Sequence, residues 1–325
     1  MYIRTHSSDG EFIYDKPFTE AAQNLGFGYY PKLTGMSPCS PVPSFDILID
    51  TRWCANYKID PELFKQQLLA EICRYTSRNN FYGVHLLFIK ESFRPAAISL
   101  GLSRWQHNGY QWRNQSYSCF DDFTNTLNKN RRKTIRKERT FLQKKGIHVQ
   151  MFRGHKMPVR WYKRMYEFYR RSAQKFGSEA LQYLTKDFFN GLARKKSDKL
   201  LFSVAFRAES SEPIAMAMFI IDGFHLLGRY WGCESEVPFL HFECCYYSAI
   251  EWAIKHNIQL FNPGMGGDHK THRGFLSSLD ESYHWFPDLR MESLFQGNIH
   301  KFNNLAIKIQ QEQKELSPIK YIDTV

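Results

Sequence analysis

A chain of 325 residues accommodates one large or two modest domains, and 43% apolar content is enough to build real cores. The formal net charge of +12 favours an anionic partner: nucleic acid, nucleotide, anionic lipid or phosphorylated precursor. Seven scattered cysteines with no C-x-x-C pair exclude a disulfide framework and a zinc knuckle, and suit a reducing cytoplasm.

"MYIRTHSSDGEF" lacks a signal-peptide apolar core, and no run approaches the ~18 apolar residues of a bilayer span, so a soluble cytoplasmic protein is expected. The first 109 residues run from "EFIYD" through the proline-rich loop "SPCSPVPS" (37–44). A helix, "PELFKQQLLAEICRYTSRN" (61–79), and a strand, "YGVHLLFI" (82–89), follow. "YQWRNQSYSCF" (110–120) reads as a strand.

Residues 121–145 read as one amphipathic helix. At about 100° per residue, Phe123, Leu127, Ile135, Phe141 and Leu142 share a face, and Lys129, Arg132, Lys133, Arg136, Lys137 and Arg139 fall opposite. Asp121 and Asp122 stand at its N-terminal end, where carboxylates cap and match the dipole. Residues 129–145 hold nine Lys or Arg against one acid, Glu138, a net +8. Most charge runs are merely solvated faces, but nearly unmixed basic charge over about five turns exceeds what solubility requires. The functional reading is a sequence-blind phosphate track formed by Lys129, Arg131, Arg132, Lys133, Arg136, Lys137 and Arg139.

"IHVQMFRG" (147–154) is a further strand, and 159–176 and 185–196 are helical. Three short strands follow, 200–209, 213–223 and 224–233, joined by turn residues such as Asp222-Gly223. Residues 241–257 form a helix, "IQLFNPG" a buried strand, "SYHWF" another, and 290–316 a closing helix. Strand, helices, three antiparallel strands, helix, strand and strand is the order of the GNAT acyltransferase lobe. The expected fold is therefore a mixed α/β sheet in tandem GNAT-like lobes, the first (1–109) incomplete and the second (110–325) carrying the basic helix.

"FDDF…RRKTIRKER", "GRYWGCESEVPFLHFECCYYSAIEWAI" and "NPGMGGDHKTHRGF" together resemble the FemAB-like branch of the GNAT superfamily, densely over 110–290 and visibly at "EFIYD", "GFGYYPKL" and "HLLFI". The family usually carries a further N-terminal segment, so the resemblance implies that this chain begins inside the first lobe. The family's turn tends to read Gln-Gly-Glu-His-Lys, where this chain has Gly266-Gly267-Asp268-His269-Lys270. The acid is one methylene shorter and its charge is kept. The resemblance implies amide-forming acyl transfer; in Fem ligases the donor is aminoacyl-tRNA and the acceptor a peptidoglycan-precursor peptide.

Such chemistry must deprotonate an amine, stabilise an oxyanion and hold an anionic donor. The turn can supply all three. Gly264, Gly266 and Gly267 can expose backbone N–H groups, Asp268 or His269 can take the proton, and Lys270 or Arg273 can offset negative charge. Against this stands a flexible surface turn with solvated charges. A metal site from Asp268, His269, His272 and His284 matches no standard spacing, so none is assigned.

In the second constellation, Arg229, Tyr230 and Trp231 end a strand, and Pro238 leads into a helix bearing His241 and Glu243. In the GNAT layout this turn receives coenzyme A pyrophosphate. Glu234, however, occupies a position that needs a small residue, and a carboxylate there repels pyrophosphate. His241 and Glu243 fit a buried, satisfied pair as well as a direct role. Three functions stay open: an N-acyltransferase using aminoacyl-tRNA or another activated carboxyl, an acyl-CoA-dependent one, and a non-catalytic nucleic-acid or precursor-binding module. Neither enzyme needs a cofactor beyond its co-substrate.

Overall fold

The computed structural model describes residues 1–6, 12–37, 40–175 and 183–320. Parts of "EFIYD", the proline-rich loop, the end of the 159–176 helix and the last five residues lie outside them.

In chain order the elements begin with β1 (Tyr2–Arg4), α1 (Lys16–Asn24), β2 (Lys32–Gly35), α2 (Thr51–Asn56), α3 (Pro61–Arg78), β3 (Val84–Leu86), α4 (Arg94–Ser99) and β4 (Ser103–Arg113). Next come α5 (Phe120–Thr126), α6 (Lys129–Lys144), β5 (Ile147–Arg153), α7 (Val159–Lys175), α8 (Lys186–Lys195), β6 (Leu200–Arg207), β7 (Ala215–Asp222) and β8 (His225–Cys233). The last are α9 (Leu240–Phe242), continued through a π-helical turn (Glu243–Tyr247) into α10 (Ser248–Lys255), then β9 (Leu260–Asn262), β10 (Leu276–Trp285) and α11 (Leu289–Glu315). No described helix is long and apolar enough to cross a membrane.

Two units are formed, 1–108 with 279–310, and 109–278 with 311–325. In the first, β1 is antiparallel to β2, β2 parallel to β3, and β3 antiparallel to β10. Val84 and Leu86 bury one face of β3, with Leu69 and Ala96. Residues 279–310, expected with the second lobe, lie here. Met291, Phe295 and Ile299 of α11 bury themselves with Phe18, Ala22 and Trp105.

In the second unit β5, β6, β7 and β8 are successively antiparallel, β8 joins β9 in parallel, and β9 is antiparallel to β4. Both sheet faces are covered, so the strands read as continuous apolar runs. Ala215, Ala217 and Phe219 of β7 pack with α6 and α10, while Met216 and Met218 pack with α7 and α8. This is the strand and helix order expected of a GNAT-like lobe, with "FNPG" starting on an inner strand.

Two local readings are corrected. The strand placed at 110–120 starts at Ser103 and stops at Arg113, because Asn114 Oδ1 accepts from Tyr117 N at 3.0 Å and closes a turn. The basic helix is two helices: Leu127 is extended, and Asn128 starts α6 by accepting from Arg131 N at 3.0 Å. Asp122 caps α5 as expected, accepting from the backbone N–H groups of Ser118 and Cys119.

Candidate functional site

β8 and β9 pair only over His225–Leu227 and Leu260–Asn262, and there they part while β8 runs on to Cys233 beside β7. At the parting point Gly228 opposes Phe219 and Tyr230 opposes Met218, leaving Arg229 as the extra residue of a β-bulge. Bulges re-aim side chains beside active sites. Asn262, buried at the end of β9, accepts from Gly264 N at 2.9 Å and starts the glycine turn.

Gly264, Gly266 and Gly267 have φ of +85°, +74° and +85°, the left-handed region that favours glycine. Residues 268–273 then wind into a 3-10 turn. The charges of this segment are not a solvated loop, since Lys270, Thr271 and Arg273 are buried. Lys270 Nζ donates to Gly264 O at 2.8 Å and Met265 O at 3.0 Å. Arg273 donates to His269 O at 2.9 Å, pairs with Glu138 of α6 at 3.0 Å, and lies 3.2 Å from the centroid of the Phe242 ring. Tyr247 also donates to Glu138. The single acid of the basic stretch is thus an inward anchor for the turn.

Asp268 is exposed and accepts from Tyr110 Oη at 3.2 Å; His269, half-buried, has Nε2 3.0 Å from Tyr246 Oη. The His269 ring stands 5.8 Å from that of His241, which lies 5.3 Å from Trp231. Burial, then the cations Lys270 and Arg273, push His269 down to about 4. Burial, then His269, Lys270 and Arg273, push His241 down to about 3. Both imidazoles are neutral at neutral pH. Burial lowers Lys270 to about 8, and burial, then Asp268, raises Tyr110 to about 12.

The structure therefore gathers Asp268, His269, Lys270, Arg273, His241, Trp231 and the three glycines. It does not gather two others. Tyr230 packs on Tyr169 with the α7–α8 side of the sheet, and Glu243 turns toward α6, accepting from Arg139 at 3.1 Å and Ser248 at 2.8 Å. Arg139, expected on the solvent face, is bound to Glu243 and Glu251. Arg132 is half-buried and donates to the carbonyls of Asn125 and Leu127, whereas Lys129, Lys133, Arg136 and Lys137 are exposed. Arg131 is close enough to His272 to lower its pKa, so the start of α6 abuts the turn. Glu234 pairs with Arg164 at 2.7 Å. Tyr110 and Tyr246 complete the site, and nothing in their spacing marks them. Among the described residues, no group of three or more His, Cys, Asp or Glu is placed to hold a metal.

A family model described as FemAB-like, peptidoglycan biosynthesis/recognition, matches residues 1–321. Among solved structures the chain is similar to L-PGS from Bacillus licheniformis, at TM-score 0.51 and 9% identity over 74% of this chain and 78% of that one. It is also similar to a C-terminal DUF2156 domain from Agrobacterium fabrum, at TM-score 0.50 and 9% identity over 72% and 78%. At such identity these likenesses speak to the fold alone. No curated protein matches the sequence.

Proposed function

This chain belongs to the FemAB-like family of peptidoglycan biosynthesis/recognition, and on that premise we propose that it forms amide bonds, transferring an aminoacyl group from aminoacyl-tRNA to an amine of a peptidoglycan precursor or peptide. The observation that carries this reading is the exposed Asp268 carboxylate, held by Tyr110 next to the neutral His269 imidazole, whose ring lies 5.8 Å from that of His241, where β8 and β9 part.

An imidazole pushed down to about 4 is a poor proton acceptor but a good neutral donor. Asp268 accordingly takes the amine proton as nitrogen attacks the ester carbonyl. His269 and the backbone N–H groups of Gly266 and Gly267 donate to the oxyanion, the Gly264 N–H being committed to Asn262. Collapse breaks the C–O ester bond, and the proton on Asp268 passes to the departing ribose oxygen. Lys270 is committed to two carbonyls, so it holds the turn rather than the substrate. Lys129, Lys133, Arg136 and Lys137 meet donor phosphates.

A thermal-shift comparison tests the donor. Bulk aminoacyl-tRNA near 100 Kd should stabilise the protein by roughly 2.7 kcal/mol, and acetyl-CoA should not. A response to acetyl-CoA alone would transfer the reaction to acyl-CoA, and a response to neither would remove the transferase reading.

A further inference from the structure

The helix that carries His241 has a second face. His241, Phe242 and Tyr246 point to the glycine turn, whereas Glu243, Ser248, Glu251, Trp252 and Lys255 wall a separate cavity; the π-turn that holds both Glu243 and Tyr246 shifts the helix phase. This cavity measures about 630 Å³ and lies among α6, β5 and α10. Small-molecule sites typically span about 300–1,000 Å³.

Its lining is mixed, and the apolar part, taken as its floor, is made by Leu142, Ile147, Val149, Met151 and Trp252. Its two carboxylates are already engaged, Glu243 and Glu251 both by Arg139, at 3.1 and 2.7 Å. Arg153, Lys156 and Lys255 have no acidic partner among the described residues, and both lysines are exposed. Arg153 is held in place: its guanidinium lies 4.8 Å from the Trp252 ring centroid and donates to Asp198 O at 2.9 Å. His256 stacks on the same indole at 4.0 Å and 16°. The cavity thus combines an apolar floor with four Lys or Arg against two Glu, a net +2, its three acid-free cations being Arg153, Lys156 and Lys255.

We propose that this cavity is a second ligand site, taking a small organic monophosphate whose apolar body lies on the floor and whose phosphate meets Arg153, Lys156 and Lys255. A single carboxylate would leave half of that net charge unmatched, whereas a phosphate dianion with three acceptor oxygens matches it. An extended RNA backbone would use the rim and leave the floor empty.

Titration calorimetry on the full chain tests this, with phenyl phosphate, inorganic phosphate and phenol as probes. Phenyl phosphate should bind at least roughly tenfold tighter than either fragment. The double variant Lys156→Glu, Lys255→Glu should weaken it by about tenfold or more without altering the melting temperature, since both side chains are exposed. Asp268→Asn should leave phenyl phosphate binding unchanged, which separates this site from the proposed reaction centre. Four results would overturn the proposal: no binding of phenyl phosphate, equal affinity for inorganic phosphate, an unaffected lysine variant, or displacement by an oligouridine that binds more tightly through the same lysines.

Discussion

At Gly267 the backbone holds φ +85°, and a Cβ would lie 2.3 Å from Cε1 of His269. At Gly266, φ is +74° and nothing lies within 4 Å of the added carbon. The two glycines therefore separate strain from displacement. Gly266→Ala should cost stability alone, roughly 1 kcal/mol, whereas Gly267→Ala should also move the His269 ring and cut turnover. Equal turnover in the two variants would detach His269 from the chemistry. His269→Ala should lower turnover by roughly 10²-fold with little change in melting temperature. Lys270→Ala behaves differently from an exposed charge. Lys270 is 3% exposed, and its loss strands the Gly264 and Met265 carbonyls, each worth roughly 1–3 kcal/mol if unsatisfied, so melting temperature should fall together with activity. A run of ionisable residues cannot reveal this in sequence. Which charge turns inward depends on carbonyls that only the folded turn presents.

On α6 the division between anchor and track follows the helix faces. Glu138 and Ile135 point inward, and Lys133, Arg136 and Lys137 point outward, as their spacing indicates. Glu138→Ala leaves Arg273 buried without its carboxylate, which should destabilise by about 3–5 kcal/mol. Reversing Lys129, Lys133, Arg136 and Lys137 to Glu should spare the fold and weaken tRNA binding. The wild-type affinity should fall with salt at roughly −0.7 to −0.9 in log K per phosphate contact. An unfolded charge-reversal variant, or salt-independent binding, would count against the track. The helix face was legible because its apolar spacing is strong. The break at Leu127 was not: Phe123, Leu127 and Ile135 fit one continuous helix, and only Asn128, a good cap, marks the restart. Arg139 was misplaced for a related reason, because its partners Glu243 and Glu251 lie more than a hundred residues away.

Across the molecule, contacts between distant segments decide what local pattern cannot. The apolar runs at 200–233, set off by turn residues, and the long helices of the second unit were readable locally, but pairing of β10 with β3, which carries 279–310 into the first unit, is not a local property. The same pairing creates an acid-sensitive core. His85 Nδ1 lies 2.8 Å from His284 Nδ1; burial, then Lys32 and His284 for the first and His107 and Lys32 for the second, hold both well below the usual imidazole range. Burial pushes His107 down to about 3. Above pH ~6.5 these histidines are neutral both folded and unfolded; below it only the unfolded chain gains protons, so stability falls by roughly 1.4 kcal/mol per pH unit for each. Asp280, raised to about 7 by burial, favours the folded state as pH falls from there and offsets one of the three. The urea midpoint should therefore drop from pH 7.5 to 5.5, and a flat profile would contradict the buried cluster. The reaction itself is tested by single-turnover transfer of a labelled aminoacyl group from aminoacyl-tRNA to a peptidoglycan-precursor amine. The native chain should form the labelled amide, and Asp268→Asn should slow it by roughly 10²–10⁴-fold with tRNA affinity unchanged. No transfer by the native chain, or equal rates in the two proteins, would contradict it.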